Sequence, residues 1–197
     1  LNVTETAKDG TYTLPGHARQ RFIFITTPSG YKTLNKHYHK IDSRTNGYDF
    51  GLLTYHPGIG KDGSHQYVHV SDTEIFNTEG NEAWVRNIRE YAANENAAFI
   101  IHTGDICYEN GMKKHIKLMN TENMNVPVFY CIGNHDLVKG KYGEEVFENN
   151  YGPVYYSFDV ANVHYIVTPM PGGDHKPGYT RLDVCRWLKN DLAHIKP

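Results

Sequence analysis

Ala97-Ala98-Phe99-Ile100-Ile101-His102-Thr103-Gly104-Asp105 decides the fold, because an apolar, strand-forming run ends there on a glycine followed at once by a carboxylate. Glycine at the end of a buried strand lets the backbone turn sharply. The next side chain then projects from the carboxyl edge of the sheet, where open α/β folds assemble their ligand sites. The same arrangement recurs downstream, where Val126 to Ile132 runs into Gly133-Asn134-His135-Asp136. Upstream, Tyr67-Val68-His69-Val70-Ser71 leads into Asp72-Thr73-Glu74. Asp72 and Asp105 stand 33 residues apart, and Asp105 and Asn134 stand 29 apart, each about the length of a strand, a helix and their turns in a βαβ unit. Three strands ending this way place hard oxygen and imidazole donors along one rim.

The intervals carry helical periodicity. Glu82 to Asn94 sets Trp84, Ile88, Tyr91 and Ala92 on one face, and Met112 to Asn120 predicts a second helix. Tyr155 to Val160 and Val163 to Thr168 predict two further, adjacent strands. From Thr180 a capping box with Asp183 opens a last helix, along which Leu182, Cys185, Leu188, Leu192 and Ile195 form an apolar stripe. The first part is built differently: Asp9-Gly10 and Pro28-Ser29-Gly30 mark turns, Thr11 to Leu14 alternates, and Arg21 to Thr27 and Tyr48 to Leu53 read as strands. The Gly- and Pro-rich stretch from His56 to Ser64 is the natural linker. The expected division is a small antiparallel β-module over 1–55, a linker over 56–65 and an α/β domain over 66–197.

At 197 residues, with 39% hydrophobic and 13% aromatic residues, the chain can bury a sizeable core. A formal charge of −2 gives no electrostatic footprint for nucleic acid, and no apolar run approaches the roughly 20 residues that span a bilayer. No signal peptide stands at Leu1, so the start reads as processed or cut. Cys107, Cys131 and Cys185 form no CxxC pair and indicate neither a disulfide framework nor a zinc knot. Cys107 and Cys131 read as small thiols buried beside strand ends, and Cys185 as part of the apolar face of the last helix. Oligomeric state is not legible.

The order of the motifs resembles the calcineurin-like metallophosphoesterase superfamily, whose motifs run DxH, GD, GNH(D/E), a later isolated His and GHxH. The resemblance covers Tyr67 to the C-terminus and is carried chiefly by Gly133-Asn134-His135-Asp136 in register with Gly104-Asp105. It implies an α/β fold, here a partial α/β/β/α sandwich. Asp9-Gly10-Thr11-Tyr12-Thr13-Leu14-Pro15 resembles the Ig-like or carboxypeptidase-regulatory-like modules that precede the catalytic domain in some bacterial members. That likeness implies a partial Ig-like module and an extracytoplasmic place, periplasmic, surface or secreted.

The implied activity is hydrolysis of a phosphomonoester or phosphodiester by a water activated between two divalent metal ions, which neutralise the phosphoryl oxygens and lower the pKa of that water. By resemblance Asp105 bridges the ions, Asp72 binds the first and Asn134 the second, His135 is the general acid, and Asp136 fixes the orientation of the His135 imidazole. Glu74 stands where the family carries a histidine. A carboxylate there is a harder donor, which favours manganese or iron, with magnesium or zinc as alternatives. Tyr108 reproduces the GDxxY spacing of purple acid phosphatases, where that tyrosine binds ferric iron, although a tyrosine packed at the strand rim is the ordinary reading.

No later isolated His and no GHxH precede Pro197, so the sequence reads as a fragment whose open donor set makes it a poor catalyst. His164 lies inside a strand and His175 in a loop, and neither is assigned as a ligand; His65, His69 and His102 likewise read as structural. Two rival readings stand beside the enzyme: a non-catalytic binding protein on the same scaffold, and a docking role for the β-module.

Overall fold

The computed structural model describes residues 2–16, 18–75, 81–106, 108–138 and 140–195. Its centre is a three-stranded parallel sheet in the order β5 (Val68–Val70), β6 (Ile100–His102), β7 (Val128–Tyr130), with Val68, Ile100 and Val128 in register. Before it come four short strands, β1 (Phe22–Phe24), β2 (Tyr31–Thr33), β3 (Tyr38–Lys40) and β4 (Leu52–Thr54), paired antiparallel as β1 with β3 and β2 with β4. Thr11 to Leu14, despite its alternation, forms no strand; the turn at Asp9-Gly10 does form, with the Asp9 carboxylate accepting from the Thr11 amide.

Alternation on the central strands sorts the side chains into two cores. Val68, Val70, Ile100, Val128 and Tyr130 face a helical layer containing α1 (Asn81–Asn94), α2 (Glu109–Leu118), α3 (Thr121–Met124) and α4 (Glu145–Asn150). Phe99 and Phe129 face the other way, onto Tyr156, Phe158 and Val160 of β8 (Tyr156–Val160), which pairs antiparallel with β9 (Val163–Val167) as the sequence led us to expect. The Phe129 and Phe158 rings stack at 3.6 Å, and Phe99 meets Phe158 edge-on at 5.1 Å. Such aromatic pairs each contribute about 0.5–1.5 kcal/mol beyond the area they bury. Helix α5 (Arg181–Leu192) covers the outer face of this hairpin, completing helix, sheet, sheet and helix layers.

Two helical faces differ from the sequence expectation. On α1 the buried residues are Val85 and Ala92, with Trp84 and Ile88 packed beside them, while Tyr91 is exposed. On α5 the capping box at Thr180 and Asp183 forms, but of the expected stripe Leu182, Cys185, Leu192 and the following Ile195 are exposed and Leu188 is half-buried. The buried face carries Trp187 and Asp191 instead. Trp187 packs on Tyr155 and Phe24, and Asp191 is drawn inward because polar partners await it. Its Oδ1 accepts from Ser157 Oγ at 2.7 Å and its Oδ2 lies 2.8 Å from His164 Nε2. One indole and one hydrogen-bonded carboxylate thus set the helix rotation against a leucine stripe.

His164 also meets Asp159 through Nδ1 at 2.6 Å, so both ring nitrogens face carboxylates. Desolvation disfavours the charged ring, but hydrogen bonds and charge from Asp191 and Asp159 outweigh it and raise its pKa above the usual 6.5. A folded-state pKa above the unfolded one stabilises fully below about pH 6.5, and that stabilisation is lost as pH rises through the folded value. Thermal denaturation from pH 5.5 to 8.5 should show wild-type stability falling across this window and a shallower fall in His164→Gln. Parallel profiles would remove His164 from the account.

The first fifty-five residues dock closely on the rest. Arg21 Nη2 donates to Glu144 Oε1 at 2.9 Å and to Glu148 Oε1 at 2.8 Å, and both carboxylates are buried. Thr26 Oγ1 lies 3.0 Å from Ser157 Oγ, the Thr27 carbonyl accepts from the Asp159 amide at 2.8 Å, and Tyr55 Oη donates to the Ala97 carbonyl. No described helix is long and apolar enough to cross a membrane.

Candidate active site

The three strands of the central sheet end on one edge, and the segments that leave them are laced together by the main chain. Asp72 N donates to Gly104 O at 3.1 Å, Glu74 N to Asp105 O at 3.0 Å, and Ile75 N to Ile106 O at 3.0 Å. Asp72, Glu74 and Asp105 all sit in the left-handed region, with φ of 53°, 42° and 50°. Three non-glycine residues held there, at about 1–3 kcal/mol each, are the kind of strain that surrounding structure maintains at functional sites. The motif glycines are required by contact. A Cβ on Gly104 would strike the Gly133 backbone, and one on Gly133 would strike Asp105, so the two motifs touch because both lack side chains.

The third strand delivers Asn134 and His135 to the same edge. The His135 amide donates to Asp105 Oδ1 at 3.0 Å, and its imidazole Nδ1 lies 2.8 Å from Asp174 Oδ2. The imidazole is held above its ordinary pKa, first by that hydrogen bond; desolvation opposes it, and the charges of Asp174, Asp105 and Glu74 add to it. Glu74, Asp105 and His135 therefore share one electrostatic neighbourhood. Tyr108, 39% exposed, sets its ring 6.5 Å from that of His135.

Asp136 corrects the sequence reading. Its carboxylate is buried and accepts from the Ile106 amide through Oδ1 and from the Gly133 amide through Oδ2, both at 2.9 Å. It clasps the turns after β6 and β7, while the carboxylate on the His135 Nδ1 belongs to Asp174. Backbone geometry forces this outcome, because two inward-pointing amides at the motif junction need an acceptor. Asp174 belongs to none of the sequence motifs, because it lies 39 residues beyond His135 in a loop without periodicity. The available signal was Gly172-Gly173 just before it: a Cβ on Gly173 would strike Asn134, and the Asp174 amide donates to Asn134 O at 3.1 Å.

The other expectations divide. Cys131 is half-buried, its Sγ–H donating to Thr168 O at 3.3 Å, and burial pushes its pKa up to about 11; Cys185 is exposed. Cys107 lies outside the described residues. His102 is buried and hydrogen-bonded, His65 and His69 are hydrogen-bonded, and His175 is exposed.

In kind, the donors suit a hard divalent cation: carboxylates at Asp72, Glu74 and Asp105 and an amide oxygen at Asn134. In position they are neighbours along a rim and not a closed shell; among the described residues no three His, Cys, Asp or Glu side chains are grouped tightly enough to hold one ion.

A family model described as calcineurin-like phosphoesterase matches residues 65–190, and one described as the N terminal of calcineurin-like phosphoesterase matches residues 1–54. The chain belongs to the calcineurin-like phosphoesterase family. Within that family the general reaction is phosphate-ester hydrolysis with divalent metals, and the glycine-bounded edge from Asp72 to Asp136 lies inside the matched phosphoesterase region. No curated protein matches the chain.

Proposed function

We propose that this phosphoesterase hydrolyses a phosphomonoester or phosphodiester at a two-metal centre held by Asp72, Glu74, Asp105 and Asn134. The observation that carries the reading is the hydrogen bond from the His135 amide to Asp105 Oδ1, which sets the candidate bridging carboxylate, Asn134 and the imidazole on one edge. Two divalent ions there would neutralise the phosphoryl oxygens and activate water. The chain's own residues do the rest. His135, kept protonated at Nδ1 by Asp174, presents Nε2 to the leaving-group oxygen and gives it a proton as the ester bond breaks. On this reading residues 1–55 are the docked module, 56–65 the linker and 66–197 the catalytic domain.

The test is to strip the protein of metal, add manganese, ferrous iron, magnesium or zinc in turn, and measure hydrolysis of an aryl phosphomonoester and a bis-aryl phosphodiester. Manganese or iron should give the highest turnover, because Glu74 supplies a hard oxygen where an imidazole would favour zinc. Glu74→His should move the preference towards zinc. Zinc preference in the wild type, unchanged in Glu74→His, would count against Glu74 as a ligand, and failure to bind any of the four ions would favour a non-catalytic binding protein on this scaffold.

A further inference from the structure

At the rim, a chain of side-chain hydrogen bonds running from the buried His102 to the half-buried Thr73 has a direction fixed by its two ends. His102 closes β6 with no exposed surface. Its Nδ1 accepts from the Gly104 amide at 3.3 Å, its Nε2 lies 2.9 Å from Thr73 Oγ1, and Thr73 Oγ1 donates to the Ile106 carbonyl at 2.7 Å. An amide can only donate and a carbonyl can only accept. Nδ1 is therefore bare, the imidazole proton sits on Nε2 and points at Thr73, and the threonine hydroxyl donates its own hydrogen bond to the Ile106 carbonyl. Burial, helped by the neighbouring His115 and His69, lowers the His102 pKa to about 3, so the ring stays neutral and the tautomer holds at any ordinary pH.

The ends of this chain matter because of what they flank. Thr73 stands between Asp72 and Glu74, and Ile106 follows Asp105. The three carboxylate-bearing residues all occupy left-handed backbone, a conformation that needs outside support. Main-chain bonds set the register of the two segments, and the hydroxyl and imidazole add a side-chain tie between Thr73 and the Gly104 and Ile106 backbone on either side of Asp105. An apolar residue at either position would leave a buried donor or acceptor without a partner.

We propose that His102 and Thr73 are positioning residues of the phosphoesterase site, a neutral hydrogen-bonded tie that fixes the Asp72–Glu74 segment relative to the Asp105 segment, so that its loss would weaken metal binding by both. The inference rests on the reading of Asp72, Glu74 and Asp105 as metal ligands. Outer hydrogen-bond partners of this kind typically change metal affinity or activity about 10- to 100-fold when removed.

The test is Mn²⁺ binding to the whole 197-residue chain, followed by the loss of the free-ion electron paramagnetic resonance signal, with thermal denaturation in parallel. Thr73→Val, nearly isosteric and lacking only the hydroxyl, should weaken Mn²⁺ binding about 10-fold or more, and Thr73→Ser, which restores the tie, should stay within about threefold of wild type. His102→Gln, which keeps a donor for Thr73 but loses the acceptor for Gly104, should fall between them and serves if Thr73→Val does not fold. Wild-type affinity in Thr73→Val or His102→Gln, even with a lower Tm, would overturn the positioning role, as would equal losses in Thr73→Val and Thr73→Ser. Asp105→Ala separates the two levels: retained Mn²⁺ affinity there defeats the ligand assignment itself.

Discussion

Asp105→Asn should lower metal-dependent phosphoesterase turnover about a thousandfold, equivalent to roughly 4 kcal/mol of transition-state stabilisation, while leaving Tm close to wild type. Asparagine is the informative replacement for two structural reasons. Its side-chain oxygen can still accept the His135 amide now bound by Asp105 Oδ1, and it tolerates the left-handed φ of 50° better than any residue except glycine. What it removes is the negative charge that two cations would share. Asp105→Ala adds a backbone penalty and an unpartnered amide, so it should also lower stability. Turnover of Asp105→Asn within tenfold of wild type, at saturating manganese, would show that the charge of Asp105 is not central to the reaction.

Asp136→Ala should act in the opposite manner, on stability before chemistry. It removes the acceptor of two buried amides, those of Ile106 and Gly133, at the junction of the two motifs. Each orphaned donor costs about 1–3 kcal/mol, so a loss of about 3–5 kcal/mol is expected, or a fall in Tm of roughly 10 °C. Asp136→Asn should lose less, because its amide keeps one oxygen but turns an N–H towards a backbone donor. Asp174→Ala makes the contrast: its partner His135 lies at the surface, so Tm should hold while turnover drops. If Asp136→Ala keeps the wild-type Tm and loses only activity, the clasp does not hold the motifs together and Asp136 returns to a catalytic role.

The parts of the fold legible in the sequence were those specified by neighbours in the chain. Strand, glycine, carboxylate is a local pattern, and it placed β6, β7 and the edge that carries Asp105 and Asn134. The Thr180–Asp183 capping box is local too, and it marked the start of α5. The face that α5 buries is not specified locally, because rotation about the helix axis is settled by partners far away, Ser157 and His164 for Asp191 and Phe24 for Trp187. Asp174 and the role of Asp136 were hidden for the same reason. Carboxylates look alike in a sequence, and only the position of amides and imidazoles around them separates one that clasps backbone from one that orients a histidine.

The attachment of Arg21 to Glu144 and Glu148 also bears on how the chain is made. Arg21 precedes these partners by 123 and 127 residues, and Thr26 precedes Ser157 by 131. Contacts this distant in sequence form late, because the intervening chain must first be closed into a loop. At synthesis rates of about 5–20 residues per second, roughly 6–25 seconds pass between the addition of Arg21 and that of Glu144. Through that interval the short pairs β1–β3 and β2–β4 keep open edges, able to pair with another nascent chain. Arg21, Thr26 and Thr27 thus precede their partners by more than a hundred residues and are among the last to be fixed, and their exposure to aggregation is set by the time the ribosome takes to reach Asp159.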